Sequence, residues 1–115
     1  SNSIISNSAS MGDGCIVMPG TIVNANVTLG DNVFLNTGVI VEHDCVIGES
    51  TFLATGCTLA GNVTIGDNTF IGAGSTIIGD VVIGDNVTIG AGSLVIRDVE
   101  SDRLVYGVPT HKEII

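Results

Sequence analysis

Aliphatic side chains recur at every sixth residue from Ile5 to Val95, without one insertion or deletion. The sixteen members of this column are Ile5, Met11, Val17, Val23, Leu29, Leu35, Val41, Ile47, Leu53, Leu59, Ile65, Ile71, Ile77, Ile83, Ile89 and Val95. An unbroken period of this kind is typical of repeat architectures, in which each repeat buries its apolar face against its neighbours. We number each hexad from its aliphatic residue.

Two further columns keep the same frame. The fourth position always carries Gly, Asn, Asp or Ser, which tolerate left-handed and tight-turn backbone. The fifth position is always small or β-branched. Each hexad therefore predicts a short strand and a corner, and three hexads close a coil of 18 residues whose strands stack in parallel about 4.8 Å apart.

The predicted fold is all-β, a single-stranded left-handed parallel β-helix of about five coils over residues 5–98. Residues 1–4 are expected to be a leader or a cloning remnant, and residues 99–115, which leave the frame, a C-terminal capping tail. An antiparallel sandwich also alternates apolar and polar residues. Its hairpin loops vary in length, however, so the unbroken frame argues against it.

The charge balance excludes several classes of partner. The chain has 12 acidic and 3 basic residues, a net charge of −9. Nucleic acids and anionic membrane surfaces both require a basic footprint, so neither is expected as a partner. The sequence also shows no apolar run of the ~18 residues that span a membrane and no signal peptide, which favours a cytoplasmic protein.

The hexad frame also explains residues that otherwise suggest a site. Cys15, Cys45 and Cys57 all occupy the small fifth column, so we interpret them as core fillers and expect neither a disulfide framework nor a metal site. A γ-type carbonic anhydrase shares the predicted fold but needs three zinc-binding histidines, and the chain has two.

One hexad departs from the pattern, because Glu42, His43 and Asp44 follow one another in it. Histidine changes its protonation near neutral pH, and a carboxylate bonded to one ring nitrogen leaves the other free to act as a base. Either Asp44 or Glu42 can supply that carboxylate. Asn36 stands in a column otherwise rich in Gly and Ala, and we expect it one face back, near the corner that His43 approaches, holding a substrate or a water.

The segments that carry a family resemblance are 36–48 (NTGVIVEHDCVIG), 59–63 (LAGNV), 71–74 (IGAG) and 107–110 (GVPT). The chain resembles, over essentially its whole length, the acetyltransferases that modify nucleotide-linked amino sugars and sialic acids in bacterial surface-glycan pathways. The resemblance implies that His43 is the catalytic base, that a neighbouring carboxylate orients it and that Asn36 supports the site.

The same resemblance implies a homotrimer with acetyl-CoA in the groove between neighbouring helices. Ala60, Gly61, Gly72 and Ala73 are then expected along the pantetheine arm. Basic residues suited to the CoA phosphates occur only near the C-terminus, where we select Arg97 and Lys112 from a set that also includes Arg103.

Three features depart from the family pattern. Many relatives carry a histidine where this chain has Phe52, and the C-terminal motif here has Thr110 followed by His111. Relatives usually begin with an α/β nucleotide-sugar domain, which this sequence does not contain.

The function expected from these observations is acetyl-CoA-dependent acetylation of an amino group on a nucleotide-linked sugar. Two alternatives stay open at this point. One is O-acetylation of the sialic acid or serine type, which uses the same base. The other is a non-catalytic β-solenoid that serves as a scaffold or trimerisation domain.

Overall fold

The computed structural model describes residues 2–112, except for the side chain of Lys112. This part of the chain forms 18 short strands. They are β1 Ile4–Ile5, β2 Ser10–Met11, β3 Ile16–Val17, β4 Ile22–Val23, β5 Thr28–Leu29, β6 Phe34–Leu35, β7 Ile40–Val41, β8 Val46–Ile47, β9 Phe52–Leu53, β10 Thr58–Leu59, β11 Thr64–Ile65, β12 Phe70–Ile71, β13 Thr76–Ile77, β14 Val82–Ile83, β15 Thr88–Ile89, β16 Leu94–Val95, β17 Leu104–Gly107 and β18 Thr110–Lys112.

The strands build three sheets that form the faces of a triangular prism. Every third strand belongs to the same sheet: six strands in the order β1-β4-β7-β10-β13-β16, five in the order β14-β11-β8-β5-β2 and seven in the order β18-β17-β15-β12-β9-β6-β3. Strands of successive coils pair in parallel at an offset of 18 residues, as Ile40 does with Thr58. The predicted left-handed parallel β-helix of hexapeptide repeats is confirmed.

The aliphatic column fills the interior. Its members from Val23 to Val95 are nearly inaccessible to solvent, with relative exposures of 0–2%. Ile5 and Met11 in the first coil are 37% and 46% exposed, because no earlier coil in the described chain covers them. Core burial therefore depends on having a coil on both sides.

Left-handed backbone turns the corners. The fourth hexad position has a positive φ in every hexad from Gly14 to Gly92, with values such as 59° at Asn26 and 61° at Asp44. Only glycine and a few short polar residues adopt this conformation readily, which explains why this column is restricted to Gly, Asn, Asp and Ser.

Polar side chains of the fifth column bond the backbone 15 residues ahead. Thr51 donates to the carbonyl of Gly66 at 2.7 Å, and the Cys45 and Cys57 thiols donate to the carbonyls of Ala60 and Gly72 at 3.2 and 3.0 Å. Burial raises the pKa of both of these thiols. The cysteines thus act as small core residues with one weak donor, as their column predicts.

The pairing offset changes after the last regular hexad. Val99 bridges to Ile83 and Leu104 pairs with Thr88, so the offset falls from 18 to 16 residues. Strand β18 then runs antiparallel to β17. The division at residue 98 stays a prediction, and residues 113–115 of the proposed tail lie outside the described residues, as does Ser1 of the proposed leader.

Candidate active site

Three corners run along the prism, and each has a different character. The histidine corner follows the six-stranded sheet, at residues 24–27, 42–45, 60–63, 78–81 and 96–98. The glycine corner follows the seven-stranded sheet, at residues 18–21, 36–39, 54–57, 72–75 and 90–93. The acidic corner follows the five-stranded sheet, at residues 12–15, 30–33, 48–51, 66–69 and 84–87.

His43 lies exposed on the histidine corner and is held by Asp44. Its Nδ1 is 2.9 Å from Oδ2 of Asp44, and the two side chains are 62% and 53% exposed. Asp44 turns the corner at φ 61°, which places its carboxylate beside the ring that precedes it. An Nδ1–H donated to Asp44 leaves the Nε2 lone pair free to accept a proton.

The other edge of the ring lies over Gly61, the residue one coil further along. A methyl group on Gly61 would stand 2.6 Å from Nε2 and 2.7 Å from Cε1 of His43. Real side chains do not approach this closely, so His43 can occupy its position only because residue 61 has no side chain.

The structure distinguishes the two carboxylates that the sequence left open. Asp44 contacts the imidazole, whereas Oε1 of Glu42 accepts a hydrogen bond of 3.1 Å from Nδ2 of Asn24, one coil earlier. Sequence reasoning did not single out Asn24. The spacing of 18 residues between Asn24 and Glu42 could have identified Asn24, because residues 18 apart lie next to one another in successive coils.

Asn36 lies one face back from His43, as expected, but on a different corner and therefore not near the corner of His43. It follows β6 on the glycine corner, whereas His43 follows β7 on the histidine corner, so the two residues stand at opposite ends of β7. Its Oδ1 accepts a hydrogen bond of 2.7 Å from the N–H of Thr37. The two residues belong to the consecutive hexads 35–40 and 41–46, and consecutive hexads of an 18-residue coil turn different corners.

The expected cofactor residues divide between the same two corners. Ala60 and Gly61 lie on the histidine corner, one coil after His43. Gly72 and Ala73 lie on the glycine corner, two coils after Asn36. Within one chain these residues therefore do not line one groove.

Arg97 lies in the same column as His43, three coils further along. Stacked strands are about 4.8 Å apart, so the two positions are roughly 14 Å apart along the prism. Gly61 and Gly79 fill the column between them, which leaves a strip of backbone without side chains from the imidazole to the guanidinium. The side chain of Lys112, the other predicted phosphate contact, lies outside the described part of the structure.

An open cavity of about 270 Å³ lies beyond this strip. Arg97, Arg103, Thr110 and His111 line it together with Asp98 and Glu100. Arg103 is 3.7 Å from Glu100, and the ring of His111 packs edge-on against Tyr106 with centroids 4.7 Å apart. The role of Thr110 and His111 in this wall was not predicted, because the frame that places residues 5–98 ends before them.

Phe52 belongs to a ladder of rings on the outside of the seven-stranded sheet. Its ring stacks on Phe34 at 4.7 Å and on Phe70 at 5.4 Å between centroids. The eighteen-residue offset stacks identical side chains, so Phe52 completes an apolar surface beside the glycine corner.

Two negative findings concern the described residues. Among residues 2–112, no group of three or more His, Cys, Asp or Glu side chains is placed to hold a metal ion. The same part of the chain forms no helix long and apolar enough to cross a membrane.

The hexad register is that of the hexapeptide-repeat proteins. The chain belongs to the bacterial transferase hexapeptide family (six repeats), which matches it at residues 8–43, 26–61, 44–79 and 62–97. A comparison with the curated proteins finds no match.

Solved structures extend this assignment. A mutant of GDP-perosamine N-acetyltransferase from Caulobacter crescentus, in complex with CoA and GDP-perosamine, is 36% identical with a TM-score of 0.98 over 99% of this chain and 54% of that one. The acetyltransferase domain of PglB from Neisseria gonorrhoeae, in complex with acetyl coenzyme A, is 33% identical with a TM-score of 0.96 over 97% of this chain and 55% of that one. The chain thus spans about half the length of these relatives.

A more distant structure shares the fold alone. The UDP-N-acetylglucosamine acyltransferase from Campylobacter jejuni is 18% identical with a TM-score of 0.61 over 98% of this chain and 66% of that one.

Proposed function

We propose that the chain is the acetyl-transferring part of an N-acetyltransferase that uses acetyl-CoA and a nucleotide-linked amino sugar. The observation that carries the proposal is the imidazole of His43, bonded to Asp44 at 2.9 Å and exposed at the start of a strip of bare backbone. The relatives at 36% and 33% identity support it, since their structures contain CoA with GDP-perosamine, and acetyl coenzyme A.

The chemistry is a direct transfer. The amine nitrogen of the acceptor attacks the thioester carbonyl, an N–C bond forms, the C–S bond breaks and CoA leaves as the thiol. Nε2 of His43 accepts the proton that the attacking nitrogen loses, while Asp44 stabilises the imidazolium, and the proton then passes to the departing sulfur. A backbone N–H across the groove stabilises the oxyanion.

The donor is proposed to lie along the histidine corner. Acetyl-CoA is an extended molecule with a thioester at one end and phosphates at the other. The strip of backbone matches it, because His43 lies at one end of the strip and Arg97 lies about 14 Å away at the other. The small residues Ala60, Gly61 and Gly79 leave backbone atoms accessible to the pantetheine arm. Arg103 and Lys112 are further cations at the phosphate end.

We propose a homotrimer as the working form and a bacterial cytoplasm as its location, since both substrates are small soluble metabolites. We also propose that residues 5–98 form the β-helix domain and that residues 99–115 form its C-terminal capping tail. Glu42 is proposed to keep the corner rigid through Asn24, whereas Asp44 orients the base.

The first experiment measures release of the CoA thiol with a panel of nucleotide-linked amino sugars at saturating donor and acceptor. His43→Ala is expected to lower kcat by roughly 10²–10⁴-fold, the contribution of a positioned general base. Full activity of this variant would contradict the mechanism. Products acetylated on oxygen would instead support the O-acetyltransferase alternative.

A second experiment separates catalysis from donor binding. Calorimetric titration with CoA is expected to give binding to both the native chain and His43→Ala, and about tenfold weaker binding to Arg97→Gln, which loses about 1.4 kcal/mol of charge-assisted contact. Arg97→Lys serves as the control that keeps the charge. If CoA does not bind to the native chain at all, the scaffold alternative is favoured.

A further inference from the structure

The carboxylate of Glu42 has no role in the transfer step, although it directly precedes the base in the chain. Its Oε1 accepts a hydrogen bond of 3.1 Å from Nδ2 of Asn24. Among the described side chains it has no further hydrogen bond and no ion pair. The side chain is half-buried, and a charge withdrawn from water without a counter-ion costs free energy. Oε2 of Glu42 is therefore free to bind a cationic ligand.

The corner around Glu42 supplies no counter-ion from its described residues. The residues that turn it in the coil before are Asn-Ala-Asn-Val at 24–27, and those in the coil after are Ala-Gly-Asn-Val at 60–63, none of which is charged. Arg97 turns the same corner three coils after His43, roughly 14 Å away. The negative charge at this point of the strip therefore attracts a positive charge from outside the chain.

A ligand that lies on the strip of backbone reaches both Glu42 and His43. Residues 18 apart lie next to one another in successive coils, so Ala60 follows Glu42 and Gly61 follows His43. The ring edge that carries Nε2 lies over Gly61, where no side chain fills the space, and Ala60 adds only a methyl group beside it. Since consecutive Cα atoms are about 3.8 Å apart, the base and the carboxylate border the same space.

An amine acceptor has the charge that this space lacks. The amines of proteins have pKa values of about 7.7–10.4, so an aliphatic amine is largely an ammonium ion at neutral pH. An ammonium group offers three N–H donors and no acceptor, which suits a carboxylate oxygen. A hydroxyl acceptor is neutral at the same pH. A carboxylate without a counter-ion therefore distinguishes the two classes of acceptor by charge.

We propose that Oε2 of Glu42 binds the ammonium group of the acceptor and selects amino sugars over their hydroxyl counterparts, an assignment that rests on the proposed function. The bound ammonium loses one proton to water, and the neutral amine keeps one N–H on Glu42, which turns its lone pair away from the carboxylate and toward the thioester. Nε2 of His43 accepts a second proton as the N–C bond forms, and that proton passes to the departing sulfur. Each turnover releases the amide, the CoA thiol and one proton.

Glu42→Gln isolates the charge from the structural contact. The amide has the shape of the carboxylate and keeps an oxygen that accepts from Asn24, but it has no negative charge. A fall in affinity for the ammonium group without a change in Tm therefore reports recognition of charge. Glu49→Gln is the matched control, because it removes one carboxylate from the acidic corner, which lies away from the base.

Calorimetric titration measures the selection without catalysis, because it uses CoA, which has no acetyl group to transfer. The probes are GDP-perosamine and the corresponding UDP- and dTDP-linked amino sugars, each paired with a sugar that has a hydroxyl in place of the amine. In at least one pair the native chain and Glu49→Gln are expected to bind the amine about tenfold more tightly. Glu42→Gln is expected to bind both members of that pair equally.

The pH dependence of this preference separates charge recognition from shape. The titratable groups at the site are Glu42, His43 and Asp44, and the thiol of Cys45 donates to the carbonyl of Ala60 inside the prism. The free amine loses its charge as the pH rises through its own pKa, which titration of the free sugar measures. The preference of the native chain is therefore expected to be full at about pH 7 and to decline above that pKa. The affinity of Glu42→Gln for the amine is expected to change little.

Transfer kinetics complete the test. With acetyl-CoA, Glu42→Gln is expected to raise the KM of the amino sugar about tenfold and to leave the KM of acetyl-CoA unchanged. Equal affinity of the native chain for amine and hydroxyl sugars, no binding of any amino sugar, or a preference that survives in Glu42→Gln overturns the assignment. A preference that depends on Glu42 without release of the CoA thiol contradicts the proposed transfer and leaves the ammonium site in place.

Discussion

Asp44 occupies a corner position that asparagine fills in both adjacent coils, at Asn26 and Asn62. Asp44→Asn therefore keeps the left-handed backbone and removes the charge that holds Nδ1 of His43. We expect kcat to fall about 10- to 100-fold, a part of the roughly 10²–10⁴-fold that a positioned base contributes. Steady-state kinetics measures this change, and thermal unfolding serves as the control, since Tm is expected to stay the same. Unchanged kcat would show that Asp44 only turns the corner.

Gly61 tests the placement of the ring from the opposite side. In Gly61→Ala the new methyl group would overlap the imidazole, whose Nε2 it would approach to 2.6 Å. Because His43 is 62% exposed, its ring can turn away at little cost to stability. We expect activity to fall about 10²-fold, since a displacement of about 1 Å can cost that much, with nearly unchanged unfolding. A fall in stability that matches the fall in activity would indicate a structural role instead.

At the scale of the strands, an aliphatic residue in the middle of the prism should contribute more to the free energy of unfolding than one in the first coil. Leu53 is fully buried, whereas Met11 occupies the same hexad position in the first coil and is 46% exposed. We expect Leu53→Ala to lower the free energy of unfolding by about 2–5 kcal/mol and Met11→Ala by about 1 kcal/mol or less. Urea denaturation of both variants measures the difference. Equal losses would contradict nearest-neighbour stacking.

The hexad frame predicts the strands and the core because one register determines which residues point inward. It also predicts His43 as the residue that the frame does not explain. The same frame also separates Asn36 from His43, because consecutive hexads of an 18-residue coil turn different corners. Which of the two carboxylates, Asp44 or Glu42, bonds to His43 depends on side-chain rotamers, which the hexad frame does not determine. Glu42 turns toward Asn24 because the stacking of coils places the two side chains next to one another.

Across the whole molecule, one column of five carboxylates lies apart from the proposed active site; it runs along the acidic corner and consists of Asp13, Asp31, Glu49, Asp67 and Asp85. The five-carboxylate column is remote from the face that separates His43 and Asn36, since the acidic corner is opposite the six-stranded sheet. Cations are confined to the C-terminal end, where Arg97 and Arg103 line the cavity. A net charge of −9 disfavours binding of an anionic donor in general, so the proposed position of the donor phosphates depends on these few cations.

The acidic column should also limit the stability of the prism. Glu49 is exposed between Asp31 and Asp67, one coil away on each side, and charges at such spacing repel even in water. Glu49→Lys converts two repulsions into attractions, whereas Glu49→Gln only removes them. We expect Tm at low salt to rise about 2–4 °C for Lys and by less for Gln. Because salt screens exposed charges beyond about 10 Å at 0.1 M and more closely above it, both gains should shrink in 0.5 M NaCl. Equal Tm for all three proteins at low salt would mean that the carboxylates are already screened. A Tm that increases from the native protein to Glu49→Gln and further to Glu49→Lys would show that the column of carboxylates opposes folding.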